Sequence, residues 1–304
     1  MAINWFPGHM KKTKDMILNN LKLVDVCVEL LDSRIPISSK NPIFDDLMKN
    51  KIRIFALNKI DLADDNMTLK YEKYLKEKSP VVSIEALNSN GIDKLCSYIK
   101  KEFELKNPIK KEEFQKDRPI RVMIVGIPNV GKSTLINTLS RKKATAVGNK
   151  AGITKGKQWV KLRDDMYLFD TPGILYPKIE EDIVGYKLAI SGSIRDEILN
   201  MEEIALEFIK LILPKYGYLL ERRYAININN ILKNHKDFEY MLKEYSLLDI
   251  ENKNIENDLA LNILHNIAIN RKLILSKNEV DYERASRLII DEFRKGIIGK
   301  ITLD

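Results

Sequence analysis

The sequence predicts an α/β fold, a parallel sheet with helices on both faces, followed by a small all-α domain. Short runs rich in Val, Ile and Leu alternate with helical patterns over the first two thirds of the 304-residue chain, as in sheets buried on both faces. One run feeds directly into a glycine-rich loop that opens a helix. After about residue 196 the strand pattern fades and amphipathic helical repeats remain.

The elements follow in order. Val24–Leu31 (VDVCVELL) is an apolar strand that ends at the turn Asp32-Ser33-Arg34-Ile35-Pro36. A helical stretch opens at Asn41-Pro42 and runs to Met48. Ile52–Leu57 (IRIFAL) is a second buried strand and leads into Asn58-Lys59-Ile60-Asp61; a lysine-rich helix over 68–78 and a short strand over 80–84 come next. The 92–103 segment places Ile92, Leu95, Cys96 and Ile99 on one helical face. Residues 104–119, charged and with two prolines, read as a solvated linker. Ile120–Val125 (IRVMIV) is a fourth strand, followed by Gly126–Ser133 and a helix over 134–140. Residues 158–162 and 166–169 flank a polar turn and predict a hairpin. Helices are expected at 201–213, 237–248, 257–274 and 281–297, with Pro214 and Gly217 as breaks. The domains are thus 1–195 and 196–304.

Composition narrows the class. The chain is 44% hydrophobic and 31% charged, which fits a folded protein and argues against disorder. No apolar run approaches the roughly 18 residues that a membrane helix needs, and the N-terminus lacks the pattern of a secretory or transit signal. A cytoplasmic protein with no membrane partner is expected, its two cysteines, Cys27 and Cys96, reduced and buried. Residues 196–304 carry 16 Lys/Arg against 19 Asp/Glu, and residues 1–195 the remaining 35 against 24. Any electrostatic footprint for RNA belongs mostly to the first part.

Gly126-x-x-x-x-Gly131-Lys132-Ser133 is a phosphate loop. Its glycines let backbone N–H groups turn inward to phosphate oxygens, and the following helix adds its positive end. Lys132 is expected on the β- and γ-phosphates and Ser133 on Mg²⁺, with Asn129, Val130, Gly131 and Thr134 completing the phosphate side. Asn58-Lys59-Ile60-Asp61 identifies the base. The Asp61 carboxylate can accept from guanine N1–H and the 2-amino group together, and adenine offers neither. Asn58 would bond the base and neighbouring loops, and the Lys59 stem would cover the ring. The loop Glu85-Ala86 could offer the Ala86 N–H to guanine O6. In Asp170-x-x-Gly173, Asp170 would hold Mg²⁺ through water and the Gly173 N–H would sense the γ-phosphate. Thr154 could ligate Mg²⁺ only when that phosphate is present. Each short motif has a bland reading as a capping or tight turn, and the set is specific only jointly. In the Ras-like arrangement the phosphate loop comes first. Here Asn58–Asp61 and Glu85-Ala86 precede it, so the order is circularly permuted and the 104–119 linker joins what are elsewhere the two ends. The 173–195 segment is then expected to pass nucleotide state to the helical domain.

These motifs in this order resemble the circularly permuted GTPases of the ribosome biogenesis GTPase A type. The resemblance spans the chain and rests also on Trp5-Phe6-Pro7-Gly8-His9-Met10, on residues 32–42 (DSRIPISSKNP) and on Gly152-Ile153-Thr154-Lys155. It implies a cytoplasmic factor for late assembly of the large ribosomal subunit, binding GTP and GDP, its GTPase stimulated by the ribosome. It also implies that the helical domain binds rRNA or ribosomal protein. Ile174 stands where Ras-like enzymes carry the water-orienting glutamine, and an isoleucine cannot orient water. The family resemblance passes that role to His9, whose other reading is a docking knob with Trp5 and Phe6. Asn129 resembles the asparagine of potassium-dependent GTPases, which implies K⁺ as a charge-neutralising element. A monomer is expected. Two other readings stay open, a signalling GTPase with a protein target and no RNA, and a nucleotide-gated tether with negligible hydrolysis.

Overall fold

A computed structural model of the chain describes residues 17–107, 119–144, 159–163, 165–169, 179, 181–233 and 253–304. It forms two compact units, Met1–Val184 with Asp304, and Gly185–Leu303.

In the first unit the apolar runs become β1 (Val26–Asp32), β2 (Ile52–Asn58), β3 (Val81–Ser83) and β4 (Ile120–Val125), and the hairpin becomes β5 (Trp159–Arg163) and β6 (Met166–Phe169). The sheet order is β3-β2-β1-β4-β6-β5. All pairs are parallel except β5 with β6 at the edge. Every residue of β1 is buried, as a central strand covered on both faces requires. Helices α1 (Ile43–Leu47), α2 (Asp65–Lys76), α3 (Ile92–Lys106) and α4 (Lys132–Ala144) connect or follow the strands. The Asp64 side chain accepts from the Asn66 and Met67 N–H groups and so starts α2 three residues before the predicted 68. On one face of the sheet Cys27, Met123, Val125 and Phe169 pack with Ile17, Leu21, Phe44 and Met48. Chain order and spatial order differ as the permutation requires. The strand that feeds the phosphate loop lies at the centre, beside the first strand of the chain.

The second unit begins inside α5 (Asp182–Ile190), which the periodicity did not predict; the sequence-based boundary at 195/196 falls after that helix. Its scaffold is α6 (Met201–Tyr224), against which α8 (Lys253–Asn270) and α9 (Tyr282–Arg294) pack; α7 (Ile228–Lys233) packs on α8. Phe208 and Phe293 meet with ring centroids 4.9 Å apart. The expected break at Pro214 and Gly217 is corrected, because α6 runs through both. A proline inside a helix costs one hydrogen bond and a clash, about 3 kcal/mol. Burial of Ile212, Tyr216, Leu219, Leu220 and Tyr224 on either side outweighs it. The helix ends at Ala225 in the left-handed region, φ 53°. The predicted 237–248 helix lies outside the described residues.

Candidate functional site

The site is built where β1, β2, β3 and β4 end, the edge at which open parallel sheets bind ligands. The phosphate loop leaves β4 at Gly126, with φ 155°, where a Cβ would sit 2.6 Å from the Leu30 carbonyl oxygen. Asn129 follows at φ 56°. Gly131 has φ 106°, and a Cβ there would overlap the Asn58 side-chain nitrogen. Lys132 opens α4 and is buried; its ammonium folds back onto the loop and donates to the carbonyls of Gly126 (3.1 Å) and Ile127 (2.6 Å). Val130 is buried, Thr134 half-buried, and the side chains of Ser133 and Asn129 face solvent.

Asn58 ties three loops together. Its Nδ2 donates to the Val130 carbonyl at 2.8 Å, and its Oδ1 accepts from the Ala86 N–H at 3.0 Å. The Ala86 N–H expected on guanine O6 is therefore held by Asn58 in this arrangement. The Ala86 carbonyl accepts from Thr138 Oγ1 of α4 at 2.8 Å. Glu85 exchanges both backbone bonds with Asn90, which closes the loop, and its carboxylate accepts from the Asn88 amide. Lys59 sits at φ 63° and sends its ammonium to the Asn129 carbonyl at 2.8 Å. Asp61 lies beyond it on the exposed rim. Residues 58–61, 85–86 and 126–134, distant in sequence, thus form one contiguous wall. His9, Thr154, Asp170 and Gly173 lie outside the described residues.

Asp32 and Arg34 belong to none of the nucleotide-binding motifs. Asp32, the last residue of β1, accepts from Arg34 Nε at 2.9 Å, Arg34 Nη2 at 2.7 Å and Lys59 Nζ at 2.8 Å. Both Asp32 and Arg34 are 1% exposed. Burial alone would raise the Asp32 carboxyl, but Arg34 and Lys59 hold it well below the usual carboxylate range. Burial lowers the Lys59 ammonium, and the Asp32 carboxylate opposes that shift. The signal was present in the sequence as two opposite charges, Asp32 and Arg34, at the turn that ends a mostly apolar strand.

The family described as 50S ribosome-binding GTPase matches residues 121–243. Ribosome biogenesis GTPase A of Priestia megaterium is 38% identical over 100% of this chain and 97% of its own length, and that of Bacillus cereus is 36% identical over 100% and 94%. The chain belongs to the ribosome biogenesis GTPase A family. Mouse mitochondrial ribosome-associated GTPase 1 is 32% identical over 99% of this chain and 89% of its own. Among solved structures, GDP-bound TM YlqF has a TM-score of 0.61 at 25% identity, covering 95% of this chain and 98% of that one. Membership makes the chain a GTPase of ribosome biogenesis and explains the strand order, which is that of a circularly permuted phosphate-loop fold. Among the described residues no helix is long and apolar enough to cross a membrane, and no cluster of three or more His, Cys, Asp or Glu could hold a metal ion.

Proposed function

We propose that the chain is an assembly factor for late maturation of the large (50S) ribosomal subunit, cytoplasmic and monomeric, whose hydrolysis of GTP to GDP and phosphate is stimulated by that particle. The 50S part of this reading is supported by the family description, and its GTP-binding part most by the bond from Asn58 to the Val130 carbonyl. It joins the guanine-reading tetrapeptide to the phosphate loop, so one nucleotide can meet both. Asp61 reads N1–H and the 2-amino group, and the Lys59 stem covers the ring. Lys132 exchanges the Gly126 and Ile127 carbonyls for β- and γ-phosphate oxygens as GTP binds. Mg²⁺ supplies charge neutralisation at those phosphates when bound. The Ser133 hydroxyl, exposed beside Lys132 at the start of α4, is a fitting ligand for it; Thr154 and Asp170 are assigned as the others by motif alone. The exposed Asn129 side chain is the assigned K⁺ contact, and His9 orients the attacking water.

Docking on rRNA or ribosomal protein falls to the helical unit, residues 196–304. The arginines of α9 are committed to neighbouring acids, Arg287 to Glu283 at 3.1 Å and Arg294 to Asp196 at 2.7 Å, so they form a salt-bridged face and not a phosphate-tracking stripe. The basic surplus of residues 1–195 supplies the long-range attraction to rRNA. Sedimentation with large subunits in GDP, in a non-hydrolysable GTP analogue and without nucleotide tests the reading. Binding enhanced by the analogue and weakened by salt supports it. Equal or absent binding in all three states removes the ribosome and leaves a GTPase with a protein target.

A further inference from the structure

The pair Asp32–Arg34 is the most buried charged cluster beside the nucleotide site, and no motif reading gives it a task. Arg34 grips Asp32 through two side-chain bonds, and its backbone N–H adds a third at 3.1 Å. The Asp32 N–H donates to Ser39 Oγ at 3.0 Å, and the Ser33 N–H to the Asn58 carbonyl at 2.8 Å. The turn after β1 is thereby locked to the end of β2. Asp304, grouped with this unit, accepts from the N–H groups of Ile37 (2.7 Å) and Ser38 (3.0 Å) in the same loop. A pair buried to this degree gives little stability over apolar side chains of equal volume, because desolvation offsets the attraction. Its geometric consequence is specific. Asp32 Oδ2 lies on Lys59 Nζ, and that same nitrogen bonds the Asn129 carbonyl at the left-handed turn of the phosphate loop. Lys59 is an otherwise flexible chain with a left-handed backbone, and it needs an anchor to lie flat under a base.

We infer that Asp32, oriented by Arg34, is the positioning residue that fixes the Lys59 side chain across the guanine face and against the phosphate loop, and so sets the affinity for GTP and GDP alike. The inference rests on reading residues 58–61 as the guanine clamp. Asp32 touches neither base nor phosphate, and it acts through Lys59 alone.

Fluorescent GDP and GTP analogues titrated into the full chain test this in a double-mutant cycle. D32N weakens both nucleotides roughly tenfold, the loss of one charge-assisted contact, and the change appears in Kd and KM more than in kcat. In the K59M background the same substitution adds nothing. D32N strands the Arg34 cation in the interior, so D32N/R34M, which removes both buried charges, carries the cycle if D32N does not fold. Parental affinity in a folded D32N/R34M protein overturns the inference, as does additivity of the Asp32 and Lys59 effects. Asp61→Asn separates this from failure of the underlying reading: the amide donates where the carboxylate accepted, so preference should pass from guanine to xanthine nucleotides. No such switch removes the guanine clamp itself, whatever the cycle shows.

Discussion

Each unit contains a buried carboxylate gripped by an arginine, and the two clusters have different reach. Asp32 is held by Arg34 and by Lys59, and Lys59 continues to the phosphate loop. Glu292 of α9 is held by Arg223 through two bonds and by the Tyr224 hydroxyl at 2.9 Å. Both of these partners belong to the last turn of α6. The second cluster stays within its own unit, where Arg271 stacks on the Tyr224 ring at 5.2 Å and donates to the Arg223 carbonyl at 2.9 Å, and it fastens helices to one another. The first passes one of its cations to a loop that meets nucleotide. The same chemistry is therefore a structural latch in one unit and a device for positioning a binding residue in the other. The third partner decides which, and local charge pattern does not.

The comparison breaks most sharply at the phosphate loop. Lys132→Ala removes the cation that now rests on the Gly126 and Ile127 carbonyls. Turnover should fall on the order of 10²-fold or more, as for loss of a preorganised donor to a developing charge, measured as phosphate release at saturating GTP. Gly131→Ala follows. Its φ of 106° is strained for any side chain, and its Cβ would overlap the Asn58 amide that joins base and phosphate loops. Strain of about 1–3 kcal/mol should appear as a loss of GDP affinity of tenfold or more in calorimetric titration. Both changes lie within the first unit.

What the sequence made legible follows the same division. Central strands were readable because burial on both faces demands near-continuous apolar runs, as in IRVMIV ahead of Gly126, where Arg121 is the one polar residue. The phosphate loop was readable because its glycines and lysine are fixed at short spacing. α6 was misjudged because Pro214 is a strong local signal, and the burial that overrides it is tertiary. The task of Asp32 was hidden because its deciding partner, Lys59, lies 27 residues away. Asp-Ser-Arg alone describes a turn and says nothing about which cation completes it. α5 carries apolar residues on all sides, without a polar face to mark its period.

In the helical unit, Glu292→Gln should lower thermal or urea stability by about 2 kcal/mol, since Arg223 and Tyr224 lose a charged acceptor. Nucleotide affinity should stay within about twofold of the parent, the change expected of a substitution that shares no partner with the binding residues. A large affinity loss would show that this cluster acts beyond its own unit. The two carboxylates also share a pH signature. Burial would raise Glu292, but Arg223 and Tyr224 hold it below the ordinary carboxylate value, as Arg34 and Lys59 hold Asp32. A carboxyl depressed in the folded state contributes fully above its unfolded value, near 4, and the contribution is lost as pH falls through the lower folded value. Urea midpoints should therefore drop below about pH 4. D32N/R34M and Glu292→Gln should each flatten part of that fall.

The smallest effect gives the finest test of independence between the two clusters. Cys27 and Cys96 are both buried and both lie in the first unit. Burial pushes the Cys27 thiol up to about 12, against the lowering influence of Lys51 and Arg53, so at pH 8 the folded protein presents almost no Cys27 thiolate for reaction. An aromatic disulfide reagent should leave the thiols unmodified until the first unit opens, and the labelling rate then measures that opening alone. GDP should slow labelling, because it binds only the closed form. Glu292→Gln should leave the rate unchanged, since its latch belongs to the helical unit, while D32N/R34M should accelerate it. Faster labelling in Glu292→Gln would mean that the helical latch also supports the sheet, and the contrast between a cluster confined to helix packing and one that reaches a binding loop would fail.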